Sequence, residues 1–479
     1  GGNLLGYVSE VNSTYLEKHP DEYKAGDYAG MTGIEAAREK ELRGEKGYNI
    51  WLRNSRNKIE SRYMNGELDK VTHSADRSIY IYLFADGRYG TFSTNRFGDE
   101  ELKDFIRKAI SMVKMLGEDQ CRQLPDPART EKDAVTGREL ELYDSRYSEM
   151  NINDRLSNAE RLSVYDKISC EEGTWQLISE ECEYSDSIDD TYTIDSQGFE
   201  GRHTETAFTC FSEMTIETED GDKYSAHWWE SSPEYDKLDI SACGQKALER
   251  AVGQTGPKEM ESGRYRMIVD STVASRLVSP LFAALNASAI QQKMSFLADT
   301  MGKKVFSENL TIMDLPRTVG KPGSRLFDTE GVATCDTAII QNGVVNRYFV
   351  NTYMSKKTGF APTIEDISRP KLMPYINDKN LTFKEKELSL NALMFHCASG
   401  ILVTGFNGGN CNPATGDFSF GIEGFAFNDG KISHPVREML ITGNMMTLWN
   451  SFIAAGTDAR ECTRWQIPSL AFDDVSFSA

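Results

Sequence analysis

Residues 400–424 read GILVTGFNGGNCNPATGDFSFGIEG. Ile401, Leu402, Val403 and Thr404 form an apolar run of the length of a buried strand. The next six positions, Gly405-Phe406-Asn407-Gly408-Gly409-Asn410, are dominated by glycine and asparagine, the residues that reach positive φ cheaply and allow close backbone approach. Phe418 to Ile422 resumes an extended pattern. The stretch therefore reads as two strands of one sheet joined through a Gly/Asn-rich loop at 405–410.

Upstream, Arg264 to Asp270 has the composition of a strand, and Phe282, Leu285, Ala289 and Phe296 repeat at helical spacing. Ser279 and Pro280 suit the N-cap and first helical positions, so a helix is expected to start or kink there. Nearer the N-terminus, Tyr48–Leu52 and Ile59–Met64 read as strands, and Asn65-Gly66 is a strong hairpin turn into Glu67–Thr72. Residues 78–84 (Ser-Ile-Tyr-Ile-Tyr-Leu-Phe) alternate aliphatic and aromatic side chains, which predicts a strand covered on both faces. Asp86-Gly87 turns the chain into Tyr89–Thr94. Leu102, Phe105, Ile106, Ala109, Ile110, Val113 and Leu116 then fall on one helical stripe closed by Gly117. The acidic, proline-containing segment Leu124–Asp144 reads as a linker. A middle module follows, with an extended segment at Ala207–Thr218 and a turn at Gly198-Phe199-Glu200-Gly201. The acid-rich run from Glu180 to Asp195 lacks the order of a calcium loop and reads as a solvated face. Trp228-Trp229-Glu230 reads as core. Together these signals give an α+β chain: residues 1–47 as an atypical N-terminal segment, 48–123 as an antiparallel sheet with packed helices, 124–239 as linker and middle module, and 240–479 as a mixed α+β domain.

Composition narrows the function. The 479 residues are 39% hydrophobic and 10% aromatic, as in an ordinary globular protein with a large core. Fifty-three basic against 73 acidic residues leave a net charge of −20, which argues against nucleic acid as a direct partner because phosphate binding rests on clustered Lys and Arg. No apolar run is long enough to span a bilayer and no secretory pattern opens the chain, which begins Gly1-Gly2 without Met, as after trimming. Nine scattered cysteines without C-x-x-C spacing point to reduced thiols and a cytoplasmic setting. A G-x-S-x-G elbow and a phosphate loop are both absent.

Several phrases resemble the TldD/PmbA family of cytosolic peptidase subunits: LFADGRYGTFSTNR at 83–96, Leu124-Pro125-Asp126-Pro127, GQKALERAVG at 244–253, SGRYRMIVD at 262–270, FDTEGVAT at 327–334, TGDFSFGIEGF at 415–425 and TGNMMTLWNSF at 442–452. The likeness covers roughly residues 48–479. In the family's metal subunit, the helix near position 280 carries H-E-x-x-x-H, two imidazoles for zinc and a carboxylate that activates water. Here Ser279, Pro280 and Ala284 stand at those positions, and no His-Glu dipeptide occurs anywhere in the chain. Cys462 is the nearest counterpart of the metal subunit's C-terminal cysteine, but its spacing is short and its histidine partners are missing. The resemblance is therefore to the PmbA (TldE) branch. It implies a chain with no cofactor of its own, paired with a TldD-like zinc subunit as a heterodimer, or a homodimer. It further implies trimming of unfolded peptides of the antitoxin or modified-peptide leader class, and no membrane association. Members have also been labelled modulators of DNA gyrase, which this chain's charge makes an indirect effect. Phe406, Asn407, Gly408, Gly409 and Asn410 are the candidate peptide-channel loop. A non-enzymatic homodimeric peptide-binding scaffold and a hydrolase with an unrecognised carboxylate or cysteine centre are the alternatives.

Residues 1–47 differ from the rest. GNLLGYVSEVN at 2–12 and GDYAGMTGIEAAREKELRGEKG at 26–47 resemble the region preceding the transpeptidase domain of class B penicillin-binding proteins, with a short helix expected between a Thr32 cap, Glu35 and Gly44. Such an enzyme needs S-x-x-K, S-x-N and K-T-G in that order. Lys357-Thr358-Gly359 instead precedes Ser368…Lys371 and Ser389-Leu390-Asn391, so the segment is expected to be a fusion or an assembly error and no function is carried from it.

Overall fold

The computed structural model describes residues 8–10, 28–30, 48–165, 174–376 and 388–479. The expected Thr32-capped helix lies outside them. The chain divides into two compact units, one of Gly1–Arg53, Ser78–Leu124 and Thr193–Phe199, the other of Asn54–Arg77, Pro125–Tyr192 and Glu200–Ala479. In the first, β1 (Val8–Glu10) pairs with β2 (Tyr28–Gly30). Long strands β3 (Tyr48–Met64) and β4 (Glu67–Ala85) each contribute residues to both units and are joined at Asn65-Gly66, which belongs to the second and whose φ values of 50° and 79° are those of a tight hairpin turn. The end of β4 pairs with β5 (Arg88–Thr94), and α1 (Asp99–Lys114) packs on the pair. Ile79, Ile81 and Leu83 meet Ala109 and Val113 in a small core. Two sequence expectations fail here. Tyr80 is exposed, so β4 is covered on one face only, and α1 ends on Met115 in a right-handed conformation rather than on Gly117, leaving Leu116 exposed.

In the second unit, α2 (Ile152–Leu162) opens with a capping box in which Asn151 and Asp154 satisfy each other's backbone N–H groups. Strands β6 (Trp175–Asp195), β7 (Glu200–Thr218) and β8 (Lys223–Ser232) lie side by side, and α3 (Cys243–Val252) shares a core with β7 through Phe208, Met214, Ala247 and Ala251. Beneath it, Arg155 donates to both Asp186 carboxylate oxygens at 2.8 and 3.0 Å, with both side chains buried. Burial nevertheless holds the Asp186 carboxyl above its usual range.

Next come β9 (Gly263–Val269), α4 (Ser275–Ala284) and α5 (Ala287–Gln291). A small sheet holds β10 (Ile312–Asp314), β11 (Thr337–Gln341), β12 (Val344–Val345) and, beyond α6 (Thr352–Thr358), β13 (Pro370–Leu372). A seven-stranded sheet is completed by β14 (Tyr375–Ile376) and, after α7 (Leu390–Cys397), by β15 (Ser399–Cys411), β16 (Asp417–Asn428) and β17 (Lys431–Asn444). Beyond α8 (Met445–Asn450), β18 (Phe452–Ala455) and β19 (Leu470–Ser478) finish it. Because β9 also pairs with β19, the ladder β9-β15-β16-β17-β19 closes on itself. Residues alternate across it: Met267, Val269, Ile401 and Val403 face the large core shared with α4, whereas Ile268 and Leu402 face α7.

Ser279 is not an N-cap. The helix begins four residues earlier, and Pro280 sits inside it; Asn286 then caps α5, so Phe282 to Phe296 is two short helices and a turn, not one long helix. The penicillin-binding fragments have local structural roles. Gly359 closes α6 at φ 78°, the Ser389 hydroxyl caps α7, and Ser368 is buried with its N–H on Asp314.

Removing one partner of a buried pair strands the other charge. Arg155→Met is expected to cost about 3–5 kcal/mol at pH 8, and less at pH 5 where Asp186 can accept a proton. Urea melts at the two pH values check this; a pH-independent loss would contradict it.

Candidate functional site

The stretch 405–410 is strand, not loop. It forms the second half of β15, paired with β16 through Phe406↔Ile422, Asn407↔Gly421 and Asn410↔Ser419, with irregularities at Val403/Gly405 and Asn407/Asn410. The glycines serve the second irregularity: Gly408 and Gly409 sit at φ 71° and 80°. A Cβ at Gly409 would lie 2.0 Å from the Ser419 carbonyl oxygen, whereas one at Gly408 meets nothing within 4 Å. The hairpin turn itself lies later, at Pro413–Thr415. Aromatic rings anchor the strand, with Phe406 edge-on to Phe420 at 5.6 Å and Phe418 stacked on Phe420 at 5.3 Å.

On its other side, β15 pairs over Ile401–Val403 with β9, to which it runs parallel. The Asp270 N–H donates to the Val403 carbonyl at 2.9 Å, and the Asp270 carboxylate accepts from the Thr272 N–H at 2.8 Å, turning the chain away towards α4. From Thr404 to Asn410 no strand pairs with this edge among the described residues. Two guanidinium groups reach it instead: Arg276 donates to the Gly409 carbonyl at 3.1 Å and Arg250 to the Thr404 carbonyl at 3.5 Å. Asn407 to Asn410 are exposed and Phe406 is half-buried.

Beside the edge lies a cavity of about 360 Å³ lined by Trp228, Trp229, Arg250, Thr404, Phe406, Asn407, Glu423, Arg437 and Arg460. Trp228 packs against the core as expected and, with Trp229, also forms part of this wall. The Arg460 guanidinium lies 4.3 Å from one ring centroid and 4.5 Å from the other, and Arg250 lies 5.5 Å from that of Trp228. None of the three arginines carried a signal in the sequence, because they come from a helix, a strand and a loop far apart in the chain.

The other sequence candidates lie apart from this edge. On α4, Ser279 is exposed, Pro280 offers no donor, and Ala284 is buried among Leu281, Phe282 and Leu285. That donor set does not fit zinc, which takes imidazole, thiolate or carboxylate. Burial pushes the Cys462 thiol up to about 11, away from the thiolate a metal needs. Among the described residues, no group of three or more His, Cys, Asp or Glu side chains could hold a metal ion.

Perturbed carboxylates are alternative catalytic candidates. Burial pushes Asp328 up to about 6 and Glu330 up to about 7. Both are occupied structurally: Asp328 accepts from the backbone N–H groups of Glu330, Val332 and Glu365, and Glu330 from the N–H and hydroxyl of Thr352. They pin loops together rather than face a cleft.

Comparison with known proteins bears on this geometry. The PmbA/TldA metallopeptidase domain 1, central domain and C-terminal domain match residues 52–113, 146–255 and 262–479. The Penicillin-binding Protein dimerisation domain matches residues 1–70. A Bacteroides thetaiotaomicron crystal structure described as a proposed modulator of DNA gyrase is 39% identical, with a TM-score of 0.83, over 92% of this chain and 97% of that one. The Metalloprotease PmbA homolog of Haemophilus influenzae is 25% identical over 414 residues, 86% of this chain and 88% of the relative. TldE from Thermococcus kodakarensis shares the fold, with a TM-score of 0.73 at 17% identity over 93% of this chain and all of that one.

Two predictions follow from the local geometry. Gly408→Ala carries only the left-handed strain, about 1–2 kcal/mol, whereas Gly409→Ala adds a backbone clash and is expected to cost about 2–5 kcal/mol; equal melting temperatures would refute the bulge geometry. Glu330, with its folded pKa raised from 4.5 to about 7, contributes stability that is present below pH 4.5 and lost as pH rises through 7. The loss amounts to about 3 kcal/mol. Glu330→Gln keeps the acceptor and abolishes the titration, so its melting temperature should fall less between pH 5 and 8 than that of the parent; identical pH profiles would rule the assignment out.

Proposed function

We propose that this chain, which belongs to the PmbA/TldD metallopeptidase family, acts as the non-metal subunit of a two-subunit peptidase in the cytoplasm. One observation carries the reading: no His-Glu dipeptide occurs anywhere in the chain, and where the family resemblance aligns the metal subunit's H-E-x-x-x-H with this sequence, Ser279, Pro280 and Ala284 stand instead, with Ala284 packed in the core. A proline, a methyl group and a serine hydroxyl can neither bind zinc nor take a proton from water. Metal and hydrolytic water are accordingly assigned to a TldD-like partner.

This chain's part is to hold the substrate. The β15 edge from Thr404 to Asn410 offers backbone N–H and C=O groups to an extended chain, and such pairing gives affinity without side-chain selectivity, as trimming of unfolded peptides requires. Substrates of the antitoxin or modified-leader class fit that requirement.

Metal content and peptidase activity of the purified chain, alone and mixed with the H-E-x-x-x-H subunit of the same organism, test the assignment. The chain alone is expected to be inert and metal-free, and the mixture to cleave unfolded peptides until a chelator is added. Turnover or stoichiometric zinc in the chain alone would overturn it. Gly408→Val, which adds a branched side chain on the exposed edge without a backbone clash, is expected to lower the mixture's kcat/KM about tenfold.

A further inference from the structure

We propose that the cavity beside the β15 edge is a carboxylate-binding subsite that anchors an acidic group of the bound peptide. The proposal rests on the edge-pairing reading above and gives it a chemical preference.

The charges lining the cavity are unevenly matched. Arg460 is paired: its guanidinium lies 3.6 Å from the Glu230 carboxylate and donates to the Trp229 carbonyl. Arg250 and Arg437 have no carboxylate within ion-pair distance among the described residues, although the whole chain carries a net charge of −20. Their acceptors are neutral, the Thr404 carbonyl at 3.5 Å for Arg250 and the Gln254 side-chain oxygen at 2.8 Å for Arg437. Most N–H groups of the two forks therefore remain available.

Both residues are half-buried and their guanidinium groups lie near aromatic rings, Arg437 at 4.3 Å from Tyr224 and Arg250 at 5.5 Å from Trp228. Planar, weakly hydrated forks held against rings suit bidentate recognition of a carboxylate. The remaining ionisable lining groups are Glu423 and His227. Glu423 stands on the Gly405 side, where a Cβ would meet its Oε1 at 2.3 Å, and His227 is exposed and stacked on Phe211. Glu423 repels an anion placed close to Gly405, which favours a carboxylate seated against the guanidinium groups and away from Gly405.

Register links the cavity to the edge. Arg250 already touches the carbonyl of Thr404, the first residue of the open edge. A peptide paired with that edge projects alternate side chains to one face about 6.6 Å apart, and its terminus or one such side chain reaches the cavity. The carboxylate is supplied by the peptide's C-terminus or by an Asp or Glu side chain.

Fluorescence anisotropy of the full-length chain with N-terminally labelled extended hexapeptides separates these cases. The set comprises a neutral C-terminally amidated peptide, its free acid, and amidated versions with Glu at successive positions. A carboxylate-bearing peptide is expected to bind about tenfold more tightly than the neutral one. A gain confined to the free acid identifies the C-terminus; a gain for Glu at one position identifies a side chain. The Arg250→Gln/Arg437→Gln double variant should lose this advantage while still binding the neutral peptide, and Arg250→Lys/Arg437→Lys, with melting temperatures checked, should keep part of it. Equal affinities across the set would overturn the subsite but leave edge pairing intact, as would an advantage that persists in the Gln variant. If no peptide binds, or if the neutral peptide is indifferent to Gly408→Val, both the subsite and the edge reading fall.

Discussion

The fold around the site depends on where one strand stops. β9 is hydrogen-bonded on both sides, parallel to β15 and antiparallel to β19, and its buried Met267, Ile268 and Val269 serve the cores on both faces of the closed ladder. At Asp270 the chain leaves the sheet, fixed by a backbone bond to Val403 and by its own carboxylate folding back on Thr272. β15 does not stop there. It continues with β16 as its only neighbour among the described residues, and an unpaired backbone edge is a binding surface unless it is covered. The open edge is thus the remainder left when a strand of seven residues lies beside one of thirteen.

Bulges make that edge possible without breaking the sheet. A slip of one residue would turn Phe418, Phe420 and Ile422 out of the core, so the register of β16 is strongly held. The extra residues of β15 are absorbed at two irregularities, where glycine lets the backbones approach. The same residues that read as a loop in the sequence are what keep a bulged strand paired.

That is where sequence reasoning was weakest. The stripe of α1, the turns at Asn65-Gly66 and Asp86-Gly87 and the strands flanking residue 400 were legible because each is specified by near neighbours in the chain. Gly405 to Asn410 were misread because their composition suits a loop, and only pairing with a distant segment makes them strand. Pro280 misled for a related reason: proline signals a helix start, yet packing of Leu277, Val278 and Leu281 in the core carries the helix through it. Tyr80 shows the converse, since aromatic alternation cannot reveal that only one face is covered. The family phrases were readable as strings, and the α+β fold they implied agrees with the structure. The arginine cavity was not, because its walls come from residues between Ser225 and Arg460 and no local pattern links them.

Ala284 carries a consequence for any attempt to build a metal site into this helix. It is 1% exposed, with core neighbours that fill the space around it. Placing a histidine there means forcing a ring into a close-packed core, at a cost of about 1–3 kcal/mol before any zinc is bound. The helix is thus closed to new chemistry by its own packing: a ligand at this position has to displace apolar neighbours before it can serve any other purpose.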